Sequence, residues 1–374
     1  MAQDLSAPLK VYFYHTRPTD GGFAEWKQKR FPGHLLYGMP LLDKHGITCV
    51  MHPFRFISER WKLTLDTTWK ILTCRKAYDV LYATSFRGIE LIVFLRALGL
   101  YRKPIVIWHH QAIIRSSKTW RERLSRFFYK GFDYMFFFSE ELIRRSREAC
   151  KFDPAKMKLV HWGPDLDFYD RILGEEKQQN PSGERHGYIS TGKENRDLVT
   201  LIKAFARTKE ELDIYIAKTC GSLHYDRIVS QLDVPEHVHI HFTEGIIPYE
   251  LALKVARKQF IVICCLDAPY TVGLTTLVEA LALGMPVLCS KNPTFGFDID
   301  REKVGMTIPY DDVEGWQKAI DWMAAHPQEA EQMGRNARKL AEERFNLEIF
   351  SKEIADALHE VANKRRGAST PETK

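Results

Sequence analysis

The sequence predicts an α/β protein built from two doubly wound, mostly parallel sheets. Its 374 residues exceed what one hydrophobic core usually organises, so two domains are expected. Short apolar strands alternate with helical patterns along most of the chain, which is typical of parallel sheets covered by helices. The polar stretch Leu173–His186 interrupts this alternation, which then starts again. We interpret that stretch as the linker between the two domains.

The strands follow in order along both halves. In the first half we predict strands at Lys10–His15, Ile47–Met51, Asp79–Ala83, Pro104–His109, Asp133–Ser139 and Lys158–His161. Helical patterns lie between them, for example at His34–Lys44 and Arg87–Leu98. In the second half strands are predicted at Gly187–Thr191, Asp213–Ala217, Val238–Phe242, Phe260–Leu266, Pro286–Ser290 and Gly305–Ile308. Ligands of such folds bind at the carboxyl ends of the strands.

Composition and charge narrow the classes of function. The seven cysteines are odd in number and form no Cys-x-x-Cys pair, which predicts reduced thiols rather than disulfides or a zinc site. We expect a cytoplasmic protein without a signal peptide, because the first eight residues are polar. No apolar run approaches the ~20 residues of a membrane span. Residues 1–180 hold 30 Lys/Arg and 19 Asp/Glu, a balance of +11, and the remaining 24 and 29 give −5. The first half is therefore expected to meet an anionic partner, for which nucleic acid, a phospholipid surface and a phosphorylated acceptor are the candidates.

The segment from Phe260 to Ser290 contains the most informative pattern. A strand leads into a loop with Gly273, and a helix follows for which Thr275 or Thr276 is the expected cap. A helix that starts after a parallel strand offers N–H groups and a positive dipole end to a phosphate. Glu279, about one turn inside that helix, can accept hydrogen bonds from ribose hydroxyls. The alternative is an ordinary core helix in which this Glu is solvated.

The run Glu279-Ala-Leu-Ala-Leu-Gly-Met-Pro-Val resembles the signature of glycosyltransferase family 4 and its GT-B relatives. Thr271 stands where that family has the first Glu of a pair, and Gly273-Leu-Thr-Thr is similar to a known variant of it. The resemblance implies a GT-B architecture, with two Rossmann-like domains that face a central cleft. It also implies that Glu279 holds the ribose of a nucleotide-sugar donor.

A second segment, Ile189–Asp197, resembles the loop in which that family grips the donor diphosphate. Gly192 is followed by Lys193 and Arg196, which match the two basic positions of the family. Fixed cations stabilise a nucleoside diphosphate as it departs, and Arg can do so through two hydrogen bonds. The alternative is a pair of solvated loop cations, the commonest fate of Lys and Arg.

The same resemblance gives the predicted domains. Residues 1–178 form the acceptor-side domain and residues 187–345 the domain that binds the nucleotide sugar. A C-terminal helix within 346–363 returns to the first domain, and 364–374 is a polar tail.

Three further features of the first domain are candidates for function. Gly21 and Gly22 follow the first strand and would let the backbone approach the diphosphate, although most glycine pairs are turns. His109 and His110 end the fourth strand, and the family resemblance places one of them toward the donor sugar. A register slip of one residue exchanges their faces, so the choice between them stays open.

The third feature is the segment Arg115–Lys130, which holds six basic residues and one acidic residue. Its apolar residues Trp120, Leu124, Phe127 and Phe128 recur at helical spacing. Such a helix either packs on the sheet with solvated cations or leans on an anionic membrane at the inner face.

Two patterns that could hold a metal are given little weight. Asp165-Leu-Asp167 and Asp298-Ile-Asp300 both read Asp-x-Asp, which is common by chance. The strand His237-x-His239-x-His241 lacks the accompanying ligands of a zinc site. We expect neither a metal nor a cofactor, because Lys193, Arg196 and the helix start can neutralise a diphosphate.

Together these features predict a retaining glycosyltransferase that moves a sugar from a nucleotide-diphosphate sugar to a glycan or lipid-linked acceptor. Polysaccharide biosynthesis is the expected process. The alternatives are a non-catalytic relative that binds a sugar nucleotide and a nucleotide-sugar epimerase of the same architecture. Nucleic acid is not an expected partner, because the basic residues form no known nucleic-acid-binding module.

Overall fold

The computed structural model describes residues 8–245 and 247–368 and divides them into two compact units. Unit 1 comprises the residues up to Lys27, Gly33–His161 and the residues from Leu347 onward, and unit 2 comprises Gln28–Pro32 and Trp162–Asn346. Each unit contains a six-stranded parallel sheet, which confirms the predicted fold class. In the described part of the chain, no helix has the length and apolarity that a bilayer span requires.

The sheet of unit 1 consists of β1 (Leu9–Tyr14), β2 (Ile47–Met51), β3 (Val80–Ala83), β4 (Ile105–Trp108), β5 (Tyr134–Phe137) and β6 (Met157–Leu159). Its strand order is β2-β1-β3-β4-β5-β6. The helices between them are α1 (Thr19–Lys27), α2 (Arg60–Leu72), α3 (Glu90–Ala97), α4 (Thr119–Tyr129) and α5 (Glu140–Glu148). Strands β3, β4 and β5 are buried at every position, which explains their uninterrupted apolar sequences.

The predicted helix at His34–Lys44 is wrong. Two short 3-10 helices, Gly33–Leu36 and Met39–His45, occupy this segment. Gly38 separates them with a φ of +75°, and Pro40 follows at the start of the second one. A left-handed residue and a proline both interrupt α-helical hydrogen bonding, so the apolar spacing alone was misleading.

The sheet of unit 2 consists of β7 (Tyr188–Thr191), β8 (Leu212–Ile216), β11 (Val238–Phe242), β12 (Phe260–Ile263), β13 (Val287–Ser290) and β14 (Gly305–Ile308). Its strand order is β11-β8-β7-β12-β13-β14. A separate small hairpin is formed by β9 (Thr219–Cys220) and β10 (Leu223–His224). The helices are α6 (Leu166–Gln179), α7 (Leu198–Phe205), α8 (Tyr225–Val229), α9 (Pro248–Ala256), α10 (Leu274–Leu283), α11 (Val313–Ala325) and α12 (Pro327–Glu343). Alternate residues of β12 enter two separate hydrophobic clusters, one on each face of the sheet.

The expected linker at Leu173–His186 corresponds only in part to irregular structure. Helix α6 covers its first half, and Phe168, Tyr169 and Ile172 bury one face of this helix within unit 2. These apolar residues lie just before or at the start of the polar stretch, and their helical spacing explains why α6 continues into it. The boundary between the units therefore lies at His161–Trp162 rather than at residue 178.

The last helix, α13 (Leu347–Ala368), belongs to unit 1. The Ser351 hydroxyl donates to the Gly38 carbonyl at 2.6 Å, and His359 Nε2 donates to the His45 carbonyl at 2.8 Å. The helix runs past the predicted end at residue 363. Of the predicted tail, residues 369–374 lie outside the described residues.

Candidate functional site

The strand order of unit 2 reverses direction between β7 and β12. The chain leaves β7 toward β8 on one side and later adds β12 on the other side, so the loops after these two strands diverge. Such a switch point leaves a crevice at the carboxyl ends of both strands, where open α/β sheets bind ligands. Residues 192–197 follow β7 and residues 264–273 follow β12.

Arg196 places a guanidinium group inside this crevice. Its side chain is 5% exposed, and Nε donates to the Thr191 carbonyl at 2.9 Å. Nη1 donates to the Glu194 carbonyl at 3.1 Å and to Cys265 Sγ at 3.3 Å, while Nη2 donates to Thr276 Oγ1 at 3.2 Å. All these acceptors are uncharged, and no ion pair joins Arg196 to a carboxylate within the described residues. The positive charge is therefore buried but not cancelled.

Gly192 makes room for that guanidinium. Its φ is +114°, and a Cβ atom there would lie 2.1 Å from Arg196 Nη2. Any other residue would displace the arginine, so this position requires glycine. Lys193, the second predicted cation, is exposed, and its carbonyl accepts a hydrogen bond from the Tyr225 hydroxyl at 3.0 Å.

Helix α10 begins at the same crevice. Gly273 precedes it with a φ of +89°, and a Cβ atom there would lie 2.5 Å from Ile263 Cγ2. The predicted cap was wrong, because Gly273 occupies the cap position and both threonines lie inside the first turn. Thr275 is exposed, whereas Thr276 is buried against Arg196 and the end of β7. The first N–H groups of α10 and the guanidinium thus converge on one region.

The loop before α10 is tied to its neighbours by side chains. Asn195 Nδ2 donates to the Tyr270 hydroxyl at 2.5 Å, which joins the loop after β7 to the loop after β12. The Thr271 hydroxyl donates to the Thr294 carbonyl at 3.2 Å. Thr271 therefore stabilises the loop and presents no carboxylate where the related family has its first Glu. The sequence analysis overlooked Asn195 and Tyr270, although both lie in the loops that follow the two strands of the switch point.

Glu279 is not the solvated helix residue of the alternative interpretation. It lies in α10, is only 8% exposed, and makes a hydrogen bond with the Tyr169 hydroxyl. Burial raises the pKa of Glu279 to about 8, although the bond to Tyr169 opposes this shift. The carboxyl group is therefore largely protonated at neutral pH. Its predicted contact with a ribose stays a prediction.

The two histidines after β4 have different surroundings. His109 is 6% exposed; its Nδ1 donates to the Gln111 carbonyl and its Nε2 accepts from the Tyr129 hydroxyl at 3.0 Å. Burial lowers the pKa of His109 to about 4, which keeps the ring neutral. Both ring nitrogens of His109 are thus used inside unit 1, and a role of either histidine toward the donor sugar stays a prediction.

His110 is half-buried at the carboxyl edge of the first sheet. Its Nε2 donates to the Thr84 carbonyl at 2.8 Å, and its ring packs 5.9 Å from the Tyr37 ring. The centre of the His15 ring also lies 5.5 Å from the centre of the Tyr37 ring, and burial lowers the pKa of His15 to about 4. His15 and Thr84 directly follow β1 and β3, so the strand-end rule could have identified them.

The glycine pair after β1 lies in a helix rather than in a turn. Helix α1 begins at Thr19, so Gly21 and Gly22 form part of its first turn. A Cβ atom at Gly21 would meet nothing within 4 Å, so nothing in unit 1 requires glycine there. A role in approaching a diphosphate stays a prediction for both residues.

The sequence patterns that could hold a metal have structural uses. Asp165 caps α6 by accepting from the Phe168 N–H, and Asp300 accepts from the Thr307 N–H at 3.0 Å. His237, just before β11, donates to the Phe205 carbonyl, whereas His241 within β11 pairs with Asp213. Among the described residues, no group of three or more His, Cys, Asp or Glu side chains is arranged to hold a metal ion.

The sequence of this chain is similar to those of known glycosyltransferases. Residues 175–340 match the family model described as glycosyl transferases group 1. D-rhamnosyltransferase WbpZ from Pseudomonas aeruginosa is 23% identical over 261 residues, which cover 67% of this chain and 65% of that relative. The chain thus spans slightly less than two thirds of the length of WbpZ.

Solved structures show the same fold. HepE from Anabaena, in complex with UDP-glucose, superimposes with a TM-score of 0.65 at 15% identity and covers 94% of this chain and 100% of its own. Sucrose-phosphate synthase from Thermosynechococcus elongatus gives a TM-score of 0.69 at 14% identity, with 96% and 100% coverage. The chain therefore has the two-unit GT-B fold, and most of its second unit matches the family model of the group 1 glycosyltransferases.

Proposed function

We propose that the protein transfers a sugar from a nucleoside diphosphate sugar to a glycan or lipid-linked acceptor, with retention of configuration and without a metal ion. One observation supports this most strongly, the buried guanidinium of Arg196 at the switch point of unit 2. It has only uncharged partners, and it lies beside the first turn of α10. An anion is the ligand that this arrangement favours.

The proposed chemistry follows from where charge develops. When the bond between the sugar and the diphosphate breaks, the leaving diphosphate gains negative charge. A fixed cation and the N–H groups of a helix start stabilise that charge, and they do so more strongly where water is excluded. Arg196 has five N–H donors, of which four are used within the protein, so one remains for a phosphate oxygen. Lys193, exposed beside it, adds a second positive charge.

The relatives support the class of donor. WbpZ is named a rhamnosyltransferase, and HepE was crystallised with UDP and with UDP-glucose. Their names favour transfer of a hexose from a nucleotide sugar, but they do not select one nucleotide for this chain. Retention and the assignment to family 4 depend on the Glu279 segment and its resemblance to that family.

A second candidate function is the binding of a sugar nucleotide without catalysis. Thr271 favours it, because its hydroxyl is used within the loop and no carboxylate stands in its place. The two functions differ in product formation. Purified protein that binds a nucleotide sugar but neither transfers nor hydrolyses it would support the second candidate.

The proposed function is tested by ligand binding to Arg196 variants. A thermal-shift screen with UDP, GDP, ADP and their sugars identifies the donor, since a ligand at about 100 times its Kd adds about 2.7 kcal/mol of stability. Arg196→Gln should then weaken binding of that nucleotide roughly 10- to 100-fold by calorimetry, the range for charged hydrogen bonds. Arg196→Lys should recover part of the affinity, because it keeps the charge but not the geometry.

The matched control is Lys203→Gln, an exposed cation on the neighbouring helix α7. It should leave affinity unchanged. Equal affinity of wild-type protein and Arg196→Gln for every nucleotide would contradict the proposal.

A further inference from the structure

Helix α2 buries polar residues and exposes apolar ones. Thr67, Thr68 and Ile71 form its buried face. On the opposite side Trp61 is 63% exposed, Leu65 53%, Trp69 69% and Leu72 54%. These four residues have the spacing i, i+4, i+8 and i+11, so they lie on one face of the helix. Large exposed apolar patches of this kind mark interaction surfaces.

Helix α4 presents a smaller surface of the same character. Phe127 and Phe128 pack on Phe94 of α3, with ring centroids 6.3 and 5.2 Å apart. Trp120 and Leu124 remain 61% and 48% exposed. The sequence predicted a single apolar stripe on α4, but only its last two residues pack on the protein.

Both helices flank α3 in one layer of unit 1. Glu90 of α3 accepts from Arg60 Nε at 2.7 Å and from the Thr64 hydroxyl at 2.9 Å, which ties α2 to this layer. The contacts of Phe94 with the aromatic rings of α4 hold α4 against α3. We name the exposed side chains of these two helices, with Phe56 before α2, the tryptophan face: Phe56, Trp61, Leu65, Trp69, Leu72, Trp120 and Leu124.

Cations accompany the exposed tryptophans. Lys62 Nζ lies 5.5 Å from the centre of the Trp61 ring, and the Arg121 guanidinium lies 5.3 Å from the Trp120 ring. Near α4, five exposed cations form no ion pair within the described residues: Arg115, Lys118, Arg121, Arg123 and Lys130. The only acidic residue of that helix, Glu122, is already paired with Arg126 and Lys151. The positive charge beside the apolar residues is therefore available to an anionic partner.

We propose that the tryptophan face docks on an anionic lipid bilayer. Tryptophan prefers the boundary between lipid headgroups and acyl chains, where its ring is apolar and its N–H reaches water. Neighbouring Lys and Arg residues attract anionic headgroups, each by about 1 kcal/mol near the surface. A second copy of this chain would place the same unpaired cations against one another, so charge complementarity favours the bilayer. This inference depends on the proposed function in one respect, that the acceptor is lipid-linked.

The test uses the full chain and vesicles of phosphatidylcholine, either alone or mixed with phosphatidylglycerol. Wild-type protein should sediment with the anionic vesicles, and high salt should weaken this binding because it screens exposed charges. The double variant Trp61→Ser, Trp69→Ser should lower the apparent partition constant at least about tenfold, which equals about 1.4 kcal/mol. The double variant Arg121→Gln, Arg123→Gln should reduce binding to anionic vesicles. Both side-chain pairs are exposed, so melting temperatures should not change.

Matched controls come from unit 2. Ile247→Ser removes an apolar side chain that is 52% exposed, and Lys318→Gln with Lys339→Gln removes two exposed cations. Neither should alter vesicle binding. The proposal is overturned if wild-type protein stays in solution with both vesicle types, or if the tryptophan variant binds as well as wild type. It is also overturned if that variant converts a lipid-free dimer into a monomer in analytical ultracentrifugation, because a second copy then covers this face.

The nucleotide affinity of the tryptophan variant separates this proposal from the proposed function. Trp61 and Trp69 are in unit 1, whereas Arg196 and α10 are in unit 2. Loss of vesicle binding with unchanged nucleotide affinity supports the docking surface. Absent nucleotide binding in wild-type protein would contradict the proposed function and leave the vesicle result to stand by itself.

Discussion

Arg196 and Glu279 are both buried in unit 2, one in the loop after β7 and the other in α10. Four neutral acceptors surround the Arg196 guanidinium. The Glu279 carboxyl becomes neutral because burial raises its pKa to about 8. Of these two buried side chains, the guanidinium is therefore the charged one near neutral pH, which suits an anionic ligand.

The raised pKa of Glu279 predicts how stability depends on pH. The folded state holds the proton up to about pH 8, whereas the unfolded chain releases it near 4.5. The free energy of unfolding should therefore fall as pH rises from about 4.5 to 8, by up to about 1.4 kcal/mol for each pH unit. Glu279→Gln is always neutral and should not show this loss. Denaturant unfolding between pH 5 and 9 measures the difference between variant and wild type.

The control for that experiment is Glu329→Gln, which changes an exposed carboxyl on α12. It should keep the wild-type dependence on pH. A constant difference in stability between Glu279→Gln and wild type across the range would show that Glu279 does not titrate in this way. Nucleotide affinity gives a second readout: if the ionised carboxyl accepts from ribose hydroxyls, affinity should rise toward pH 8 in wild type only.

Individual residues of the candidate site could be predicted from the sequence where they belong to a short local motif. Gly192, Lys193, Arg196 and Glu279 were all found within short runs, because their backbone context is encoded by adjacent residues. The roles of His109 and His110 could not be separated, because they depend on which face of β4 meets α4. His15 and Tyr37 were missed, since their contact with His110 joins three distant segments.

The start of α10 is the element on which the proposed site most depends. Gly273 adopts a left-handed conformation and its Cα lies against Ile263 of β12. Gly273→Ala should therefore lower the free energy of unfolding by about 1–3 kcal/mol, through strain and the steric contact. It should also weaken nucleotide binding, because the first N–H groups of α10 would move. Thermal unfolding and calorimetry measure the two effects.

Gly174→Ala provides the matched control. Gly174 lies in α6, where an added Cβ meets nothing within 4 Å. Alanine is favoured over glycine inside a helix by up to about 1 kcal/mol, so this variant should be as stable as wild type or slightly more stable. Wild-type stability and affinity in Gly273→Ala would show that the start of α10 tolerates a side chain.

Among the elements, strands were predicted better than irregular segments. Most strands of the two large sheets are short apolar runs, and the edge strand β11 alternates apolar residues with histidines, so these patterns are evident in the sequence. The 3-10 helices before β2 and the apolar start of α6 were misread, because periodicity does not reveal a left-handed glycine or show which partner a stripe will meet. The exposed face of α2 was not anticipated, since its Trp and Leu residues have the spacing of a buried stripe.

For the molecule as a whole, the proposed mechanism predicts activity without divalent metal. Arg196, Lys193 and the first turn of α10 would supply the positive charge that a metal ion otherwise brings to a diphosphate. Sugar transfer should therefore persist in excess EDTA, measured as release of the nucleoside diphosphate.

The control is EDTA saturated with Mg²⁺, which separates chelation from a direct effect of the compound. Activity that EDTA abolishes and Mg²⁺ or Mn²⁺ restores would contradict metal independence. Attention would then return to carboxylates such as Asp165 and Asp167.

The fold class could be predicted from alternation of strands and helices, because that pattern is repeated in both halves of the chain. The division into units was predicted at α13, which was expected to return to the first domain, but not at α6, whose apolar residues pack within unit 2. The sequence contains no motif that selects one nucleotide or one sugar.

The place of α13 in unit 1 has a consequence for biosynthesis. Unit 1 begins the chain, but Ser351 and His359 of its last helix pair with Gly38 and His45 near its beginning. Most of unit 2, Trp162–Asn346, is complete before that helix emerges from the ribosome. The strands of unit 1 are therefore made before unit 2, but unit 1 completes its core after unit 2. A chain truncated before Leu347 would lack the helix that packs on the core of unit 1.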